Sequence, residues 1–185
     1  MSDHETTSKI RGMVRRVVLK NIKDDGEAQT ASVEVADGIW RDNVEISQVY
    51  GLSSHAPEDG ALAIVLAIGG DEGDMVALPV GNPSKRLGGL GKGEVGIYNE
   101  HGDKIVVDAG GNIRATSATT VSAEVGGSKF TLSANSFEVA VGGATMKFSA
   151  AGLEVTGGQV KHNDKNIGDD HGHVSAPPGV SGPPV

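Results

Sequence analysis

Gly126-Gly-Ser-Lys-Phe-Thr-Leu-Ser-Ala-Asn-Ser-Phe-Glu-Val-Ala-Val141 runs directly into Gly142-Gly-Ala-Thr-Met-Lys-Phe-Ser-Ala-Ala-Gly-Leu-Glu-Val-Thr-Gly157. The two stretches share one 16-residue frame. Glycine pairs recur in phase at Gly110-Gly111, Gly126-Gly127 and Gly142-Gly143, with Gly158 next. Ser117-Ala118, Ser133-Ala134 and Ser149-Ala150 recur at the same spacing, and Glu138/Glu154 and Val139/Val155 match across two repeats. Equivalent positions hold Phe130/Met146, Leu132/Phe148 and Phe137/Leu153. Within a repeat the apolar residues fall two apart, as in Phe130 and Leu132 or Phe137, Val139 and Val141, with Thr, Ser, Lys and Glu between them. That is the period of a β-strand with one apolar face, so each repeat reads as strand, turn, strand. A unit of this kind cannot bury its apolar stripe alone and must stack or associate. A single-chain β-helix is one solution. An intertwined trimeric β-prism, in which three chains each supply a wall, suits so short an array better, because each narrow stripe then packs against two copies of itself.

Working outward, residues 21–83 read as a small β-domain. Ala31–Ala36 alternates, Trp40 and Asp42–Ile46 follow a turn at Asp37-Gly38, Ala61–Ile68 is continuously apolar, and Met75–Val80 follows Asp71–Asp74. Short strands with glycine turns at this density fit an OB-fold-like barrel. Before it, Ile10, Met13, Val14, Val17 and Val18 suit a short amphipathic helix, or a helix running into a strand. Between the β-domain and the repeats, residues 84–96 form a glycine-rich connector. It is no phosphate-binding loop, because Lys92 is followed by Gly93 where such a loop needs Ser or Thr. Asp71-Glu-Gly-Asp74 lacks the alternating oxygen ligands of a calcium loop and reads as a turn. The fold expected is therefore all-β: an N-terminal segment over 1–20, a barrel and linker over 21–96, a trimeric β-helical or prismatic needle over 97–165, and a tip over 166–185.

Composition agrees with this reading. Glycine is 28 of 185 residues, about twice the usual ~7%, while aromatics are only 3%. Cysteine is absent, so stability is expected from association rather than disulfides. The net charge of −8 opposes binding to nucleic acid or anionic lipid. The polar start Met1–Lys9 lacks the apolar stretch of a signal peptide. No nucleophile elbow or HExxH pattern is present, and a non-enzymatic role is expected. A metal-dependent hydrolase is the enzyme alternative, and it would need open coordination positions and a general base.

His171 and His173 stand in Asn166-Ile-Gly-Asp-Asp-His-Gly-His173, ahead of a Pro/Gly tail. On an extended strand, residues two apart point to one side. One chain offers two imidazoles, too few for a stable site. Three chains meeting on an axis would bring six together, enough for an octahedral transition metal. Asp169 and Asp170, just before the pair, read as solvated. His4, His55, His101 and His162 have no partner at ligand spacing.

Three stretches carry a family resemblance that covers nearly the whole chain: Ile10-Arg-Gly-Met-Val-Arg-Arg16, Leu90-Gly-Lys-Gly-Glu-Val-Gly-Ile-Tyr-Asn-Glu-His-Gly-Asp-Lys-Ile105, and Lys165-Asn-Ile-Gly-Asp-Asp-His-Gly-His173. Together with the order of parts, they resemble the baseplate assembly protein V family, the membrane-piercing spikes of Mu-like and P2-like contractile phage tails. The resemblance implies a homotrimer whose OB-fold lies near the tail tube and whose needle ends in three His-x-His pairs binding one iron ion per trimer. The ligands would be His171 and His173. It implies residence in the virion tail baseplate after assembly in the host cytoplasm, contacts with baseplate and tail-tube proteins through the N-terminal domain, and mechanical piercing of the host outer membrane. A spike from a phage-related secretion or injection system is the alternative within the same module.

Overall fold

The computed structural model describes residues 6, 7, 10, 12–168, 174, 175, 179 and 180; Thr6, Thr7, Ile10 and Gly12 are helical, and the longer elements among the described residues are all strands. The chain divides into two compact units, Met1–His101 and Gly102–Val185.

The first unit is a closed five-stranded barrel. Its strands are β1 (Val14–Lys23), β2 (Gln29–Ala36), β3 (Ile39–Ile46), β4 (Leu62–Ala67) and β5 (Met75–Gly81). Their order around the barrel is β1-β2-β3-β5-β4, closed by antiparallel pairing of β1 with β4. Only β3 and β5 run parallel. This is the expected OB-fold-like barrel, and full closure leaves it no free sheet edge. Strand alternation fills the interior: Val17 and Leu19, Ala31 and Val33, Val44 and Ile46, Ala63 and Val65, and Ala77 all point inward and are buried. Small side chains suffice because the lumen of so small a barrel is narrow.

Of the two forms expected near the N-terminus, the helix running into a strand is the one seen: Thr6, Thr7, Ile10 and Gly12 are helical and the strand begins at Val14. There the backbone is already the first barrel strand, registered as Val14↔Leu66 and Val18↔Leu62 on β4. The spacing of Val14, Val17 and Val18 fits either period, and pairing with the apolar β4 decides for the strand, where β-branched residues pack well.

Two side-chain clamps fix the barrel's loops. Glu72, on the β4–β5 turn, is shared by Arg15 of β1 and Arg41 of β3. Asp71 accepts from the Gly73 amide at 2.8 Å, so Asp71–Asp74 is indeed a turn. In the long β3–β4 loop, Glu58 accepts from the Ile22 amide at 2.7 Å.

After the connector and β6 (Val95–Tyr98), the second unit is a run of antiparallel hairpins. Strands β7 (Lys104–Val107) and β8 (Ile113–Thr116) pair with each other. Then come β9 (Thr120–Val125), β10 (Ser128–Ser133), β11 (Ser136–Val141), β12 (Ala144–Ser149) and β13 (Gly152–Thr156), which form one five-stranded meander. Short hairpins β14–β15 (Lys161–His162 with Lys165–Asn166) and β16–β17 (Val174–Ser175 with Gly179–Val180) follow.

The 16-residue repeat is now explained: it spans two strands and two turns. The glycine pairs make the tight turns, with Gly126 and Gly127 at φ 53° and 87° and Gly142 and Gly143 at 56° and 91°. Two successive positive φ angles define the hairpin turn whose twist matches the strands, and only glycine adopts them without cost. The Ser-Ala turns lie at the other ends of the strands. Ser133 Oγ accepts from the Ser136 amide at 3.1 Å, and Ser149 Oγ accepts from Ala151 at 3.2 Å.

Candidate assembly surface

Strand register sorts the side chains of the meander onto two faces. One cross-strand row is Ala123, Phe130, Val139, Met146 and Val155. The next is Val121, Leu132, Phe137, Phe148 and Leu153. Val125, Val141 and Ala144 lie on the same face, one row towards the Gly-Gly turns. Alternation places Thr, Ser, Lys and Glu on the opposite face, where Lys129 is opposite Glu124 and Lys147 stands between Glu138 and Glu154. Opposite charges directly across strands stabilise a solvated face modestly.

The apolar face is open in the single chain. Leu132 is 50% exposed, Phe148 45% and Leu153 56%. Phe137 is the centre of a ring cluster, 6.3 Å from Phe130 and 6.5 Å from Phe148 by centroids. Each such side chain, fully buried, is worth roughly 1.5–3 kcal/mol. A continuous apolar sheet face left in water marks an interaction surface.

His171 and His173, with Asp169 and Asp170, lie outside the described residues. The chain on either side of them is hairpin: β14–β15 upstream, turned at Asn163 and Asp164 with φ 46° and 63°, and the short β16–β17 pair downstream. Among the described residues no cluster of three His, Asp, Glu or Cys side chains is placed to hold a metal. No helix of the described residues is long and apolar enough to cross a membrane.

One strongly set carboxylate stands at the entry to the repeats. Asp108, in the β7–β8 turn, accepts from the amides of Gly110 and Asn112, each at 2.9 Å, and from the Asn112 side chain. Arg114 Nη1 donates to it at 2.6 Å. The Asn112 hydrogen bonds, aided by Gly110 and the Arg114 charge, hold its pKa below the usual carboxylate value. This is the work of a turn clamp. The sequence signal for it was Asp108-Ala-Gly-Gly-Asn112, which the repeat reading registered only as its first glycine pair.

With barrel and meander in place, the comparison with known proteins is specific. Residues 16–84 match the family model of the N-terminal domain of bacteriophage Mu Gp45. The barrel is therefore similar to the N-terminal domain of bacteriophage Mu Gp45. A protein of Escherichia phage Mu described as "Baseplate puncturing device gp45" is 31% identical over 111 residues, which is 60% of this chain and 56% of that relative. The chain thus spans little more than half the length of the relative it matches. The similarity found is to the Mu protein, in line with the resemblance to Mu-like baseplate spikes read from the sequence. The family match falls on the barrel, whereas the surface most in need of a partner lies on the meander.

Proposed function

We propose that this protein is the central spike of a contractile phage tail baseplate, a homotrimer that punctures the host outer membrane mechanically and without catalysis. The open apolar face of β9–β13 carries this reading. Three such faces turned towards a common axis would bury one another and leave the charged faces outside, which makes a narrow prism with a slippery wall. Its stiffness would come from continuous backbone ladders rather than a thick core, in keeping with so few aromatic residues. The similarity to a baseplate puncturing device supports the location in the virion tail baseplate, with the barrel docking on baseplate and tail-tube proteins.

At the distal end, His171 and His173 from three chains would supply six imidazoles to one metal ion, iron by analogy with the family. Such an ion would join three chain ends where the load is greatest and oppose fraying. Imidazole ligates metal only when neutral, so acidification would release the ion. A six-imidazole site has no open position for substrate, in keeping with a staple rather than a hydrolase.

The test is metal content and native mass measured together on untagged protein dialysed without added metal. The expected result is a trimeric mass with about one ion, mostly iron, per three chains. A monomeric mass would remove the spike reading. A trimer without metal would keep the spike and remove His171 and His173 as ligands, and one ion per chain would revive the enzyme alternative.

A further inference from the structure

The outer wall of the barrel holds one charge among apolar neighbours. Val17, Leu19, Ala63 and Val65 are turned inward and buried. Alternation therefore turns Val14, Arg16 and Val18 of β1 outward, with Leu62, Ile64 and Leu66 of β4. Register sets them side by side: Val14 is opposite Leu66, Arg16 opposite Ile64 and Val18 opposite Leu62. Val76 and Leu78 of β5 extend the same rows beyond Leu66 and Ile64. Arg16 is thus the one charge in these rows. Ala61–Ile68 is apolar at every position, the pattern of a strand covered on both faces. Yet Val14 is 60% exposed and Ile64 39%.

At Ile64 this face deepens into a groove of about 360 Å³, lined by Leu62, Ile64, Pro83 and Tyr98 together with Arg16 and Arg86. One wall is braced by Asn82, which caps the short turn Pro83–Lys85. Its side-chain oxygen accepts from the Ser84 amide at 3.1 Å and the Ser84 hydroxyl at 2.7 Å. Its nitrogen donates to Pro57 O at 3.1 Å and to Asp59 O. A wall held this way receives a ligand without first having to be ordered. The arginines say what the ligand must carry. Arg15, Arg41 and Arg114 each hold a carboxylate. Arg16 and Arg86, the other described arginines, hold none among the described residues, and both line this groove.

We infer that this groove docks an extended segment of another protein in which a carboxylate stands next to a large apolar side chain. The inference rests on the reading that the barrel docks on baseplate and tail-tube proteins, and it names the chemistry of that contact. The apolar side chain packs on Leu62, Ile64 and Pro83. The carboxylate pairs with the guanidinium groups, whose planar forks match its two oxygens. A cover without an acid would bury Arg16 unpaired and stripped of water. That disfavours a purely apolar partner and opposes a basic one. The barrel's own exposed apolar turn does not fit the groove of a second copy. Val49-Tyr50-Gly51-Leu52 is held by two hydrogen bonds between Gln48 and Ser54. No Asp or Glu stands from Ser47 to Pro57, so this turn brings no carboxylate.

The probe is a displayed library of random short peptides, selected on the full chain and counter-selected on the double variant Arg16→Glu with Arg86→Glu. The expected binders place Asp or Glu beside Leu, Ile, Met or Phe. A synthetic peptide of the commonest sequence should bind Arg16→Gln on the order of tenfold more weakly, the worth of one charge-assisted hydrogen bond, and Arg16→Lys less weakly than that. Binders without an acid, binders indifferent to both arginines, or no binders at all overturn the inference. Both arginines are exposed, so the melting temperature of the barrel should not move. If charge reversal does unfold it, Arg16→Gln with Arg86→Gln takes its place. Native mass on the same preparations separates this contact from the trimer reading. A monomeric parent that selects acidic peptides keeps the groove and removes the trimer, and a trimer that selects none does the reverse. A trimer that falls apart in the double variant makes a second copy the occupant and overturns the inference.

Discussion

Asp108 shows how much of the entry to the repeats depends on one side chain. Its carboxylate closes the β7–β8 turn through the amides of Gly110 and Asn112 and holds Arg114. Because its pKa is lowered on folding, the stability it contributes is present above the unfolded value of about 3.9 and is lost as pH falls through the folded value. Asp108→Asn should therefore lower the melting temperature at pH 7, and the difference from the parent should shrink towards pH 3. Melts of both proteins across that range check it, and a difference independent of pH would contradict it. The turn glycines offer a second comparison. An alanine at Gly127 meets open space but must adopt φ 87°, a cost of roughly 1–2 kcal/mol. At Gly157 the added Cβ would also come within 2.6 Å of Gly143 O. Gly157→Ala should therefore destabilise more than Gly127→Ala in denaturant titrations, and the reverse order would contradict the close approach of the two turns.

At the scale of the element, the meander states its own requirement. Phe137 stands at the middle of the apolar face between Phe130 and Phe148, while Lys147 lies on the other face between two glutamates. Phe137→Asp should reduce the sedimenting species from three chains to one, since a carboxylate on that face would be buried unpaired in the prism. Lys147→Ala should leave the mass unchanged, with a stability loss below about 1 kcal/mol, the usual limit for exposed pairs. Dissociation by Lys147→Ala, or a trimer with Phe137→Asp, would place the wrong face inside. This element was legible in the sequence because period-2 apolarity and glycine phase both survive in the residues themselves. The barrel strands were legible for the same reason. The point where the N-terminal helix gives way to the first strand was not, because Val14, Val17 and Val18 are compatible with a helix until β4 is known to lie beside them. The turn at Tyr50 was also silent: nothing local in Val49-Tyr50-Gly51-Leu52 distinguishes a buried loop from a presented one. Its exposure follows from the Gln48–Ser54 clamp, which is a matter of tertiary geometry.

For the whole molecule, two kinds of bond would hold the three chains, and they are separable. The apolar faces of β9–β13 would supply an association that depends on area and needs no metal. The proposed histidine tip would supply a staple that adds nothing to the faces but keeps the last hairpins from opening. Its worth would follow from loop closure: joining ends already held close restricts few conformations, so such a staple would raise the barrier to fraying more than total stability. Removing residues 166–185 should therefore leave a trimeric mass, abolish bound metal, and lower only the melting transition of the needle, with the barrel transition unmoved. Sedimentation, metal analysis and calorimetry on one preparation decide it. His171→Ala with His173→Ala should reproduce the loss of metal. A truncated chain that becomes monomeric would mean that the tip, not the apolar face, assembles the spike.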